Sequence, residues 1–149
     1  MGAVFGVNQA IKELRQISAK TDQATRDTNN ASALMVRTHA IRLIQQPGSG
    51  RVYTRSPGSN RSREHQASAP GEAPATDTGI LAGAMYVERA RGSKLSAEVG
   101  PADKVQYGKH LEYGTRNMAP RPFLKPAFEA VARTHQGRLV SAIRRALKL

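Results

Sequence analysis

The chain contains no cysteine and no tryptophan, and aromatic residues make up only 5% of its 149 positions. Without thiols, disulfides and thiolate zinc sites are excluded, and the fold has no oxidative staple. Scarce aromatics and a mean hydropathy of −0.50 predict a modest core of Leu, Ile, Val and Ala, part of which needs a partner for full burial. No apolar run approaches the roughly 20 residues that span a bilayer, and the N-terminus lacks the basic-then-apolar order of a secretory signal. A soluble chain with no membrane contact, compatible with a reducing cytoplasm, is therefore expected. Acidic residues are also few: 11 Asp and Glu stand against 23 Lys and Arg, for a net charge of +12. Charge of this size suits nucleic acid, anionic membrane or acidic protein surfaces, without choosing among them. From Arg116 onward the cations Arg116, Arg121, Lys125, Arg133, Arg138, Arg144, Arg145 and Lys148 face Glu129 alone, so more than half of the surplus rides on the C-terminal arm.

What is present reads as one α+β domain over residues 1–149; a chain of that length buries roughly 68–70% of its unfolded surface. From about Val4 to Gln46, apolar residues at Val7, Ile11, Leu14, Leu34, Ile41 and Ile44 recur at helical spacings. The polar run Lys20–Asn30 between them predicts either one helix crossing solvent or a break near Asn29-Asn30, with Asn30 capping a second helix. So lean an apolar face favours one end packing on the domain and the other on a neighbouring chain. Residues 47–78, rich in Gly, Pro, Ser and Arg, predict a long loop or arm, a kind of connection that is usually functional or ordered only on binding. Within it Tyr53, flanked by Arg51, Val52 and Arg55, is a short strand or a docking point. Residues 80–89 and 94–101, separated by Arg91-Gly92-Ser93, predict a turn of helix and a β-hairpin with Leu95, Ala97 and Val99 on one face. A short strand or helical turn is expected over Val105–Tyr113. A C-terminal amphipathic helix follows over Pro122–Leu147, its stripe running from Phe128 and Val131 to Leu147, with Pro122 in the first turn where no internal N–H is needed.

The densest local information lies in Tyr107-Gly108-Lys109-His110-Leu111-Glu112-Tyr113-Gly114-Thr115 and the following Pro120-Arg121-Pro122-Phe123-Leu124-Lys125-Pro126-Ala127-Phe128. Gly114 can take a positive φ, while Pro120, Pro122 and Pro126 each fix their own φ and push the preceding residue towards extended geometry. This stiff corner delivers Phe123, Leu124 and Phe128 as apolar anchors to the start of the last helix. A second block, Ser68-Ala69-Pro70-Gly71-Glu72-Ala73-Pro74 followed by Thr78-Gly79-Ile80-Leu81, precedes it.

The two blocks, in this order and spacing, resemble the signature of the tailed-phage head-tail neck or tail-completion morphogenesis proteins, exemplified by the gene-ten product of phage Hong Kong 97. Ala73 stands where that pattern commonly has a proline. The resemblance implies a small α+β structural protein of the virion, assembled in the host cytoplasm as a homo-oligomeric ring, with a hexamer expected. The ring would sit between head-closure and tail-terminator proteins, around the DNA that passes through its lumen. Architecture is expected from Leu81, Tyr107, Leu111, Glu112, Tyr113, Gly114, Thr115, Pro120, Pro122, Phe123, Leu124, Pro126 and Phe128, and partner docking from Tyr53, Pro70, Gly71 and Pro74.

Catalytic, cofactor and metal sites are not expected. His39, His65, His110 and His135 are scattered, with no His-x-x-x-His pair and no paired carboxylates at ligand spacing. His110 and Glu112, two apart, share one side of a strand but not of a helix. Glu112 is instead expected to anchor the Gly114-Thr115 turn through backbone N–H groups or to pair with Arg116 or Arg121. Gly48, Gly50 and Gly58 lack the strand, helix and Lys-Ser/Thr of a phosphate loop. Two other readings stay open. Arg133, Arg138, Arg144, Arg145 and Lys148, with Arg51, Arg55, Arg61 and Arg63 of the arm, fit a basic module contacting DNA phosphates, although cations also suit a helix C-terminus. An enzyme such as a phage hydrolase has no residue set behind it.

Overall fold

The computed structural model describes residues 2–55 and 63–148. Helix α1 runs unbroken over Gly2–Ile44, 43 residues, or about 65 Å at 1.5 Å per residue. Of the two alternatives the single helix holds and a break at Asn29-Asn30 is absent, and the reason is where the polar side chains go. Asn disrupts helices by bonding its own local backbone. Here the Asn29 amide donates to Leu95 O at 2.8 Å, while Asn30 accepts from Ala90 N–H at 2.8 Å and donates to Ala90 O at 3.3 Å. Thr25, Thr28 and Ser32 return their hydroxyls to carbonyls four residues back, leaving the helix ladder intact. The asparagines thus tether a distant loop and cap nothing.

Residues 47–78 are not one structureless arm. Strands β1 (Val52–Arg55) and β2 (Arg63–Gln66) pair antiparallel with Tyr53 opposite His65 and Arg55 opposite Arg63. Bonds from Gly50 N–H to Ala67 O (2.8 Å) and from Ala67 N–H to Arg51 O (3.0 Å) extend that ladder. β-Branched and aromatic residues in Val52-Tyr53-Thr54 favour extended backbone, whereas Arg-Glu-His-Gln carries no strand signal and is recruited by the pairing. Arg61 and residues 56–60 lie outside the described residues.

A helical turn, α2 (Ile80–Gly83), leads into strand β3 (Met85–Glu88), which pairs antiparallel with β4 (Glu98–Pro101). The second strand is shorter than its alternation predicts. Leu95 and Ala97 precede it, because the Asn29 and Asn30 tethers draw residues 90–95 onto α1 and away from β3. Among the described residues the sheet content is therefore two separate antiparallel pairs. Between them and the last helix lies α3 (Tyr107–Tyr113), so the residue 105–113 segment is helical.

Helix α4 spans Leu124–Leu147. Pro122 lies before it, and Pro126 occupies the first turn in its place, where a missing N–H costs no helix bond. Contacts from His135 and Arg138 to Ser32 set α4 antiparallel along the C-terminal half of α1. The core sits where they converge: Val36, Ala40 and Ile44 of α1, Leu81 and Ala82, Met85, Val105, Phe123, and Ala127 and Val131 of α4. Phe123 and Ile44 are the largest fully buried side chains. Phe128, expected among the helix's buried anchors, is 62% exposed. The other half of α1 has no such cover, and residues 6–20 are all exposed.

Candidate functional site

An α-helix begins with N–H groups that have no intrahelical partner. At the start of α4 these donors converge on one side chain from a different element. The Glu112 carboxylate, on α3, accepts from Phe123 N–H (2.9 Å), Leu124 N–H (2.9 Å) and Lys125 N–H (2.8 Å). The next residue, Pro126, has no N–H to satisfy. Glu112 is only 7% exposed, and its negative charge also faces the positive end of the α4 dipole. The expected chemistry, a carboxylate holding backbone N–H groups, is present, but its target is the helix start. The Gly114-Thr115 turn closes itself, through Thr115 N–H to Met118 O (2.9 Å) and Met118 N–H to Thr115 O (3.2 Å).

Gly114 makes the reversal between α3 and this turn with φ 76°, and a Cβ there would meet Met118 O at 2.8 Å. Both constraints demand glycine. Gly108 lets α3 approach β4, since a Cβ on it would lie 2.8 Å from the Pro101 ring. Arg121 N–H then bonds Leu111 O at 2.7 Å, fastening the proline segment to α3. His110 and Glu112 are not brought together: on a helix two residues apart they diverge, with His110 exposed and Glu112 buried.

The structure joins the two sequence blocks. Gly71 N–H donates to Pro120 O at 3.1 Å, so the Ser68–Pro74 turn docks on the proline corner. Pro74 is buried, whereas Pro70 and Gly71 are at the surface. Glu72 holds the turn by accepting from the Ser49 hydroxyl, from Ala69 N–H (2.8 Å) and from Ser49 N–H (3.1 Å). The Ser49 hydroxyl above all, then the two N–H groups, holds the Glu72 carboxyl below its ordinary value. Tyr53 stands half-exposed on the hairpin with the Arg51 guanidinium 5.5 Å from its ring centre.

Beside the corner, a groove of about 1040 Å³ opens between α1, β4 and α4. Ser32, Ala33 and Val36 line it from α1, Val99 from β4, and Phe128 and Val131 from α4. Tyr113, 82% exposed, and Phe128 stand at its rim. Sequence reasoning missed this groove; its one legible signal was the small Ser32-Ala33 step on α1. His135 Nδ1 lies 2.9 Å from Ser32 Oγ, a pairing that suggests a nucleophile and its base. Thr28 O, 2.8 Å from the same Ser32 Oγ, competes with His135 for the single hydroxyl proton, and Arg138 donates to that oxygen at 3.3 Å, so the pairing joins α1 to α4. Among the described residues no group of three or more His, Asp or Glu is placed to hold a metal, and no helix is long and apolar enough to cross a membrane.

Of the C-terminal cations, Arg133, Arg144, Arg145 and Lys148 are exposed. Arg133 and Arg145 border a shallow surface depression around Gly137 and Ser141. Arg138 also reaches it but is turned to α1, donating to Ser32 Oγ at 3.3 Å and to Met35 Sδ. In the arm, the side chains of Arg55 and Arg63 lie outside the described residues, as does Arg61. Compared with protein-family models, characterised proteins and solved structures, the chain matches none of them.

Proposed function

We propose that this chain is a structural protein of the tailed-phage neck, assembling as a ring between the head-closure and tail-terminator proteins. The observation that carries the reading is the division of labour along α1. Its C-terminal half is locked into the domain by α4 and the Glu112-held corner, while its N-terminal half projects an apolar stripe that this fold does not cover. Val7, Ile11, Leu14 and Ile17 are 58, 42, 65 and 47% exposed. A stripe of this size on a highly charged chain suits a component that is completed by neighbours. The docking of the Ser68–Pro74 turn on the proline corner, through Gly71 and Pro120, supports the resemblance on which the neck assignment rests. The test is imaging of particles made without this chain. DNA-filled heads without tails, beside free tails, are expected; heads that never fill would overturn the assignment.

A second reading is favoured by the exposed Arg133, Arg144, Arg145 and Lys148 along α4. Four such cations would give phosphate binding with a steep salt dependence, on the order of −0.9 in log–log slope per phosphate neutralised. Absence of duplex binding at low salt removes this reading.

A further inference from the structure

We infer that the groove between α1, β4 and α4 receives the N-terminal half of α1 from a second copy of the chain, in a reciprocal, antiparallel exchange. At 3.6 residues per turn, Val7, Ile11, Leu14, Ser18, Thr25, Ser32 and Val36 fall along one face of α1. The C-terminal part of that face lines the groove. Its N-terminal part is the uncovered stripe. Stripe and groove are thus two stretches of one seam, about 20 residues apart. When two α1 helices run antiparallel about a twofold axis between Thr21 and Asp22, Val7 of one copy falls opposite Val36 of the other, Ile11 opposite Ser32, and Leu14 opposite Asn29. Around the crossing point the seam carries the short side chains of Ser18, Thr21, Asp22 and Thr25, which lets the backbones approach.

Charge permits this approach where most of the surface forbids it. Against a net +12 overall, residues 6–24 carry Lys12, Arg15 and Lys20 opposed by Glu13 and Asp22, close to balance. Area decides that the exchange is reciprocal. A 15-residue helix about 22 Å long and about 10 Å wide, half embedded, buries roughly 350 Å² on each side of the contact. One such contact, roughly 700 Å² in total, falls short of the ~1,000 Å² a stable pair needs; two give roughly 1,400 Å², within the usual range. A twofold pair is self-complementary and has no distinct top and bottom, so it describes the free protein. Within a ring whose faces meet different neighbours, the same stripe must be handed to another seat. The inference needs only this chain's geometry and goes beyond the neck reading.

The chain lacks cysteine, so a disulfide probe is clean. The probe pair is Ile11→Cys with Ala132→Cys, the second position being exposed, lining the groove and one turn from His135. Within one chain the two sites are about 30 Å apart along α1, beyond the ~7 Å limit for a disulfide. Expected results are a mass of two chains for the unsubstituted protein by light scattering, and a heterodisulfide dimer when the two single variants are mixed and oxidised. Leu14→Asp, at an exposed site that leaves the fold untouched, is expected to weaken the pair by about 100-fold or more while helical circular dichroism persists. A monomer at high concentration, or a multimer in which these cysteines do not link, overturns the exchange. So does a groove that fills only when another neck component is added. Any of these leaves the particle-imaging test of the neck assignment standing.

Discussion

Replacing Glu112 tests the idea that one carboxylate fixes the departure angle of α4. Glu112→Ala removes the acceptor of three backbone donors at once. The Phe123 N–H, in buried surroundings, is left without a partner, which costs about 1–3 kcal/mol. The Leu124 and Lys125 donors are part-buried and recover water, so their loss is that of an N-cap, about 1 kcal/mol. Removing the charge from the helix N-terminus adds about 0.3–1 kcal/mol. The total is about 2–5 kcal/mol, a large share of the ~5–15 kcal/mol that holds a domain of this size together. Glu112→Gln keeps one accepting oxygen but turns an NH₂ towards donors and loses the charge, for about 1–2 kcal/mol. Urea unfolding followed by circular dichroism measures both. Equal effects of the two substitutions, or a loss below about 1 kcal/mol for Glu112→Ala, would refute the clamp.

Phe123→Ala empties a fully buried position of the core and is expected to cost about 3–5 kcal/mol, loosening α4 and reducing assembly; full particle yield from that variant counts against the role of the corner. Gly114→Ala combines a positive φ with a close contact to Met118 O, so a loss of about 1–3 kcal/mol is expected in the same unfolding assay. Glu72 has a carboxyl lowered in the folded state from its ordinary 4.5, so its contribution is complete above that value and is lost as pH falls through the lower folded one. Ser49→Ala is expected to move the Glu72 carboxyl, followed by NMR titration, back towards 4.5, and no movement contradicts the assigned cause.

The proline corner was legible because its residues act locally. Proline fixes φ wherever it stands, Gly114 relieves a positive φ, and a carboxylate near a helix start seeks N–H groups. The apolar spacing of α1 and the β-branched Val52–Thr54 run were legible for the same reason. The destination of Glu112 escaped, since three donors eleven to thirteen residues away become its partners only when α3 and α4 meet.

By itself, then, the sequence determined the α+β composition, the absence of thiol chemistry, the stiff corner and the lean, basic character of the surface, all consequences of residue type and short-range spacing. Tertiary structure alone decided that α1 runs through Asn29-Asn30 unbroken, because their amides find Ala90 and Leu95, 60 and 66 positions away. It also decided that Phe128 is left exposed at a groove while Phe123 is sealed, and that the uncovered face of one half of α1 continues into the groove on the other. Burial is a property of what packs against a face, and no periodicity within a single helix specifies its neighbour.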